Sequence, residues 1–199
     1  MAFDAHKECM STLGDDALLV AFAGGDSGAA RELTQRLAPR VFSHAVRMLG
    51  GDRAEAEDVA QEALLRLWRA APGWREGEAK VTTWLYRVTA NLCIDRMRKR
   101  RGGPDLDSVP EPVDEAPSAA EEMQNAARAE ALQGALNQLP DRQRQAVILR
   151  HIEGMSNPEI AQIMDIGPRA VESLTARGKR ALEALLSGRR AELGYEDDD

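Results

Sequence analysis

Aromatic side chains are scarce in this chain, and so are the residues from which most active sites are built. Trp, Tyr and Phe make up 4% of it, and it holds only two cysteines, Cys9 and Cys93, and three histidines, His6, His44 and His151. Two cysteines cannot form a disulfide framework. The histidines are isolated from one another in sequence, and neither a phosphate-cradling glycine loop nor a nucleophile motif occurs, which argues against an enzyme. His6 and Cys9 have a spacing compatible with two metal ligands, but two ligands make an incomplete site. No metal and no cofactor is expected. No apolar run approaches the length that spans a membrane. The N-terminus lacks the basic-then-apolar order of a signal peptide. A reducing cytoplasm is the expected location.

Runs of Val, Ile and Thr alternating with period two are missing as well, so strands are not expected. Ala, Leu, Glu and Arg dominate instead, and the chain reads as all-α. Its 199 residues suit one average domain or two small ones, each large enough for a modest helical core.

The formal net charge is −7, which by itself argues against a nucleic-acid partner. Distribution matters more than the sum. Arg96, Arg98, Lys99, Arg100 and Arg101 form one basic cluster, and Arg177, Lys179, Arg180, Arg189 and Arg190 form another. The acids collect between Asp105 and Glu122 and in the tail Glu196-Asp197-Asp198-Asp199. Basic clusters are often solvated faces; here each one closes a candidate DNA-reading helix.

Along the chain, residues 1–14 carry weak signals. Asp15 and Asp16 can cap a helix with Leu18, Leu19 and Phe22 as its apolar positions. Gly24-Gly25-Asp26 is a turn. A helix from Ala29 to Leu49 follows, which Pro39 is expected to bend or interrupt, and Gly50-Gly51-Asp52 ends it. Ala54 to Ala71 is amphipathic, with Val59, Ala60, Ala63, Leu64, Leu67 and Trp68 in one stripe and Asp58, Gln61, Glu62 and Arg66 off it. Trp74 to Thr83 reads as a loop, and Trp84 to Arg100 as helix. Between Gly102 and Pro117 lie Pro104, Pro110, Pro112, Pro117 and many acids, which predicts an extended, mobile linker. Helix resumes at Ser118 with Leu132, Leu136 and Leu139, breaks at Pro140, and runs again from Arg142 to Ile152. The expected domains are therefore 15–101 and 118–186, joined by the acidic linker 102–117 and followed by the acidic tail 187–199.

Two segments carry the functional signal. In the first, Trp74, Trp84 and Tyr86 precede the basic run, the combination that lets bases stack on rings while cations hold phosphates. A loop such as 74–83 can pocket a base taken out of the stack. Trp68 reads as core, Trp74 as exposed, and Trp84 fits either role. The second segment reads as a helix-turn-helix. Ser156 is the N-cap, with Pro158 and Glu159 in the first turn. Ile160, Ala161 and Met164 face inward, and Asp165 occupies a left-handed position. Pro168 starts the second helix, whose Val171 and Leu174 pack back on the first. Arg169, Glu172, Ser173, Ala176 and Arg177 then face outward, as a major-groove helix requires. An ordinary helical hairpin is the alternative, but it leaves the basic continuation through Lys179 and Arg180 unexplained.

These residues resemble the ECF (extracytoplasmic function) sigma factors of the sigma-70 family, the initiation subunits of bacterial RNA polymerase. Ala56 to Trp68 resembles region 2.2. Trp84-Leu85-Tyr86-Arg87 with Asn91, Asp95 and Arg98 resembles regions 2.3 to 2.4. Leu139 to Leu182 resembles region 4. The resemblance implies two small helical domains, regions 2 and 4, and a subunit without catalysis that opens promoters for a stress-type regulon. It implies that Asp58, Gln61 and Glu62 dock on core polymerase. Trp74, Trp84, Arg87, Asn91, Asp95, Arg98 and Lys99 would bind and open the −10 element, loop 74–83 capturing a flipped base. Arg169, Glu172, Ser173, Arg177, Lys179 and Arg180 would read the −35 element. The acidic linker would run through the RNA exit path. An anti-sigma protein is the further implied partner, one that clamps the domains together and hides both DNA faces and the polymerase strip.

The chain departs from the family at Glu172 and Leu174, where many members carry Lys and Arg. Glu172 is suited to accept a hydrogen bond from a cytosine amino group instead. Gly178 is expected to weaken its helix by roughly 1 kcal/mol relative to Ala. The competing reading is a stand-alone helix-turn-helix regulator with a sensing N-terminal half. Residues 54–101 argue against it, because a sensor has no need of aromatics leading into a basic helix.

Overall fold

The computed structural model describes residues 12–101 and 119–188. The expected linker, the tail beyond residue 188, His6 and Cys9 lie outside the described residues. The described residues form helices joined by short turns and loops, in the order α1 (Asp15–Ala23), α2 (Ser27–Met48), α3 (Arg53–Ala70), α4 (Val81–Arg101), α5 (Ala119–Asn137), α6 (Asp141–Val147), α7 (Asn157–Met164) and α8 (Pro168–Ser187). A single 3₁₀ turn, Ala71–Gly73, follows α3, and α6 runs into a π-helical turn, Ile148–Ile152. No described helix is long and apolar enough to cross a membrane.

Local chemistry sets most boundaries. Asp26 caps α2 by accepting from the amides of Gly28 and Ala29 (2.8 and 3.3 Å), and Asp52 caps α3 through Glu55 N–H (2.9 Å), as short oxygen-bearing side chains do. Gly50 and Gly51 take φ of +78° and +97° between α2 and α3, a conformation that costs glycine nothing. The expected interruption at Pro39 does not occur: α2 continues through it. Gln35 and Pro39 are both exposed, so the carbonyl that loses its helical partner there can take one from water. Asp15 and Asp16 sit in the first turn of α1 rather than at its cap, which is Gly14. Asp16 reaches across the chain instead, and its carboxylate accepts from Val81 N–H at 2.9 Å. It thereby satisfies a donor at the start of α4, which begins three residues earlier than the sequence suggested.

Helices α1 to α4 pack around Leu33, Leu37, Val41, Ala45, Met48, Val59, Ala63, Leu67, Leu85 and Cys93, all buried. Each large apolar side chain in such a cluster contributes about 1.5–3 kcal/mol. The cluster does not stop at the first half: it continues into Leu136, Leu139, Val147 and Ile148. A second cluster gathers Ala146, Leu149, Met155, Ile160, Ala161, Ile163, Met164 and Val171, and its remaining member is Tyr86 of α4. The two halves thus pack as one body, each contributing side chains to the other's core.

Polar contacts tie the same seam. Arg144 is buried, and its guanidinium donates to the carbonyls of Leu136 (2.8 Å) and Asn137 (2.7 Å) at the end of α5. It also donates to Met48 O (2.9 Å) at the end of α2. One cation therefore serves the electronegative ends of two helices, one from each half. Gln133 and Asn137 add donors to Arg47 O (3.2 Å) and Gly50 O (3.3 Å). Tyr86 donates its hydroxyl to Glu153, which also lies 3.9 Å from Arg47. His44 packs edge-on against Tyr86, with centroids 5.1 Å apart. Neither of its ring nitrogens has a hydrogen-bond partner.

The expectation for Gly178 is overturned. It is buried where α8 crosses α6, and a Cβ there would lie 2.5 Å from Val147 Cγ2 and 3.2 Å from Gln143 O. The gain in helix propensity is outweighed by overpacking. Gly178→Ala is expected to lower the unfolding free energy by about 1–3 kcal/mol in urea titrations; a more stable variant would show that the crossing widens freely.

Burial, with Arg47 nearby, pushes the pKa of His44 down from 6.5 to about 3. The fold holds the neutral ring, so an unfolded chain binds a proton sooner. Stability from this group is complete above pH 6.5 and is lost as pH falls toward 3. Replacing His44 with Leu is expected to flatten the decline of Tm below pH 6.5 relative to the parent chain, measured by calorimetry at stepped pH. Parallel Tm profiles would show that His44 is not buried neutral.

Candidate nucleic-acid interface

The outer face of α3 presents Asp58 and Gln61 exposed and Glu62 half-buried. The apolar stripe beneath them holds these residues in place: Val59, Ala60, Ala63 and Leu67 are buried. Asp58 lies 3.7 Å from Arg96 of α4, and Glu62 pairs with Arg66 at 2.8 Å. That arginine hydrogen bond draws the Glu62 carboxyl below its usual range. An open cleft of about 430 Å³ runs between α3 and α4, lined by Asp58, Gln61, Glu62, Leu65, Arg66, Leu92, Asp95, Arg96 and Lys99. Residues that the sequence assigned to two different partners therefore share one groove. Sequence reading passed over Leu65, a 43% exposed apolar side chain off the stripe; its misplacement in the helical pattern was the available signal.

Along α4, Arg87, Asn91, Asp95, Arg98 and Lys99 are all exposed. The first four recur every three or four residues, so they occupy one face on successive turns. The basic run is less free than its composition suggests. Arg96 lies 3.7 Å from both Glu55 and Asp58, and Arg100 hydrogen-bonds Asp52. Asp95 lies 4.0 Å from Arg98. Arg98 and Lys99 are the outward cations of this stretch.

The aromatic residues divide in an unforeseen way. Trp74 and Trp84 meet edge to face with centroids 6.1 Å apart, and both are half-buried against the core. The expected exposure of Trp74 is thus corrected, and its indole N–H is buried without a hydrogen-bond partner. Trp84 packs on the core, one of the two roles the sequence allowed. Trp68 packs edge to face with Phe22 (4.9 Å), on the core side as expected. Tyr86, read from sequence as a stacking ring, is 1% exposed and enclosed by the second half. Burial, together with its bond to Glu153, pushes its phenol pKa strongly upward. Only tertiary packing could reveal this, because the partner lies 67 residues away.

The helix-turn-helix forms as its residues suggested. Ser156 and Glu159 make a reciprocal capping box at α7. Asp165 is left-handed (φ 53°, ψ 52°), and Ile166 N–H returns to Ala161 O at 3.1 Å, closing the helix end. Pro168 is the first residue of α8. Arg169, Glu172, Ser173, Arg177, Lys179 and Arg180 are all exposed along α8, with Val171 and Gly178 buried behind them. Lys179 pairs with Glu183 at 3.6 Å. Leu174 packs on the second core cluster, so an arginine there would have to leave that core. Although the halves are packed together, the α3 strip and the α8 face remain open. What closure covers in this arrangement is Tyr86.

Comparison with known proteins places this arrangement. Residues 33–102 match the family described as sigma-70 region 2, and residues 129–182 match sigma-70 region 4. The ECF RNA polymerase sigma factor SigM of Mycobacterium tuberculosis is 31% identical over 86% of this chain and 84% of its own length. The chain belongs to the ECF sigma factors. SigE of Mycolicibacterium smegmatis, also an ECF RNA polymerase sigma factor, is 35% identical over 81% of this chain, which spans 63% of that protein. The solved structure of CnrH in complex with the cytosolic domain of CnrY matches 87% of this sigma factor and 97% of that chain. Its TM-score is 0.65, at 25% identity. The region 2 match runs from within α2 to the end of α4, and the region 4 match runs from within α5 into α8.

Proposed function

We propose that this sigma factor docks core RNA polymerase through Asp58, Gln61 and Glu62 and reads promoters with two separate faces. Arg87, Asn91, Asp95, Arg98 and Lys99 contact the −10 element, while Trp74 and Trp84 support a loop that receives an unstacked base. Arg169, Glu172, Ser173, Arg177, Lys179 and Arg180 enter the major groove at the −35 element. The chain does no chemistry of its own, acts in the cytoplasm and serves a stress-type regulon. An anti-sigma protein restrains it, a reading supported by CnrH, which forms a complex with the cytosolic domain of CnrY.

The observation that carries this reading is the α3–α4 groove, whose walls join the acidic strip to Asp95 and Lys99. A polymerase element seated there touches the helix that carries the −10 face, so binding of one partner positions the other. Geometry adds a requirement. Elements centred near −35 and −10 lie about 85 Å apart at ~3.4 Å per base pair. Here Lys80 of region 2 and Glu159 of region 4 are 2.7 Å apart. The two regions must separate before both elements are engaged.

Run-off transcription with core polymerase and promoter fragments tests the proposal. Asp58→Lys combined with Glu62→Lys is expected to weaken core binding at least roughly tenfold, about 1.4 kcal/mol, with α8 contacts to DNA intact. Arg177→Ala and Arg180→Ala should each lower the salt slope of −35 binding by about one. Duplex binding by the chain alone, with no core-dependent transcripts, would establish the stand-alone regulator instead.

A further inference from the structure

The seam between the two regions places acids of one against hydrogen-bond donors of the other. Lys80 precedes α4 and extends Nζ to Glu159 Oε1 at 2.7 Å. Six residues on, Tyr86 donates its hydroxyl to Glu153. Both donors belong to the segment that leads into the −10 face, and a lysine ammonium and a tyrosine hydroxyl are groups that donate to DNA phosphates. Both acceptors belong to region 4, just before and within α7. The Glu153 side chain is 8% exposed, so its bond is shielded from salt. Lys80 is 68% exposed and Glu159 30%, so their pair is open to screening.

We propose that Glu153 and Glu159 form an autoinhibitory latch, two carboxylates standing where DNA phosphates would accept from Tyr86 and Lys80. The latch keeps region 4 folded over the entry to the −10 face, and its release frees both donors for the promoter. This rests on the reading of α4 as the −10 helix. The two acids are suited to the role because neither faces outward from α8. Their removal therefore leaves the −35 surface untouched. Glu159→Gln also preserves the capping box, since glutamine serves equally at that position. The strong lowering of the Glu159 carboxyl, to about 2, agrees with its three donors from Lys80 and Ser156.

The test compares the full chain with a Glu153→Gln, Glu159→Gln double variant, using small-angle scattering and run-off transcription at limiting core polymerase with no other partner. The variant is expected to show a larger radius of gyration and a yield of transcripts raised at least roughly fivefold, the scale of losing hydrogen bonds to charged groups. Lys80→Gln, which breaks the latch from the other side, is expected to expand the chain while weakening −10 binding at low salt. An unchanged radius for the double variant overturns the latch, as does expansion without a gain in transcription. If no chain, parent or variant, supports core-dependent transcripts, the sigma reading itself falls. Scattering alone then still decides whether these acids hold the regions together.

Discussion

The buried guanidinium of Arg144 fixes the frame on which both DNA-reading regions are hung. A helix end exposes carbonyls that need donors, and burying such an end without them costs more than most side-chain contacts return. Here α2 and α5 end at the same place, and Arg144 donates to both, reaching Met48 O on one side and Leu136 and Asn137 O on the other. The group is always charged and planar, so it suits a site where several carbonyls converge from different directions. Tyr86 makes the reverse insertion, from region 2 into the core of region 4. Neither region can be described without a side chain of the other, whereas the proposed reading of two promoter elements requires that they part. The seam combines these polar anchors with a shared apolar core.

What the sequence made legible was local. The stripe of α3 repeats with helical period, so its extent was read to within one residue. Ser156, Glu159, Asp165 and Pro168 state the helix-turn-helix through caps and a left-handed corner, each governed by neighbours within four residues. The outward face of α8 followed from the same periodicity, while that of α4 came from the family resemblance. The misreadings share a different cause. Tyr86, Trp74, Asp16 and Gly178 are decided by partners distant in sequence, and nothing near them signals the partner. Tyr86 among basic residues has the composition of a nucleic-acid face; only the arrival of α7 converts it to a core residue. Pro39 was misread for the opposite reason, since a solvent-facing position tolerates what an enclosed one would not.

The electrostatics of α4 show how a net-acidic chain can still present a basic surface. Asp52, Glu55 and Asp58 neutralise Arg96 and Arg100 along the side facing α3. This leaves Arg98 and Lys99 outward, with Asp95 beside Arg98. The positive field is therefore narrow and directed, which favours binding at a defined register over general attraction to DNA. The same pairing holds the α3–α4 groove at a fixed width, so that its acidic rim is presented by a braced pair of helices.

One bond ties α1 to the helix that carries the outward cations. The segment that matches sigma-70 region 2 starts at residue 33, but the amide that opens α4 is held by Asp16 in α1. Leu18 and Leu19 of that helix are wholly buried in the same core. A fragment trimmed to the matched segment would keep every residue proposed for the −10 element and lose the strut that sets the first turn of their helix. The working unit for dissecting or transplanting the α4 face therefore starts at α1, upstream of the segment by which its family is recognised.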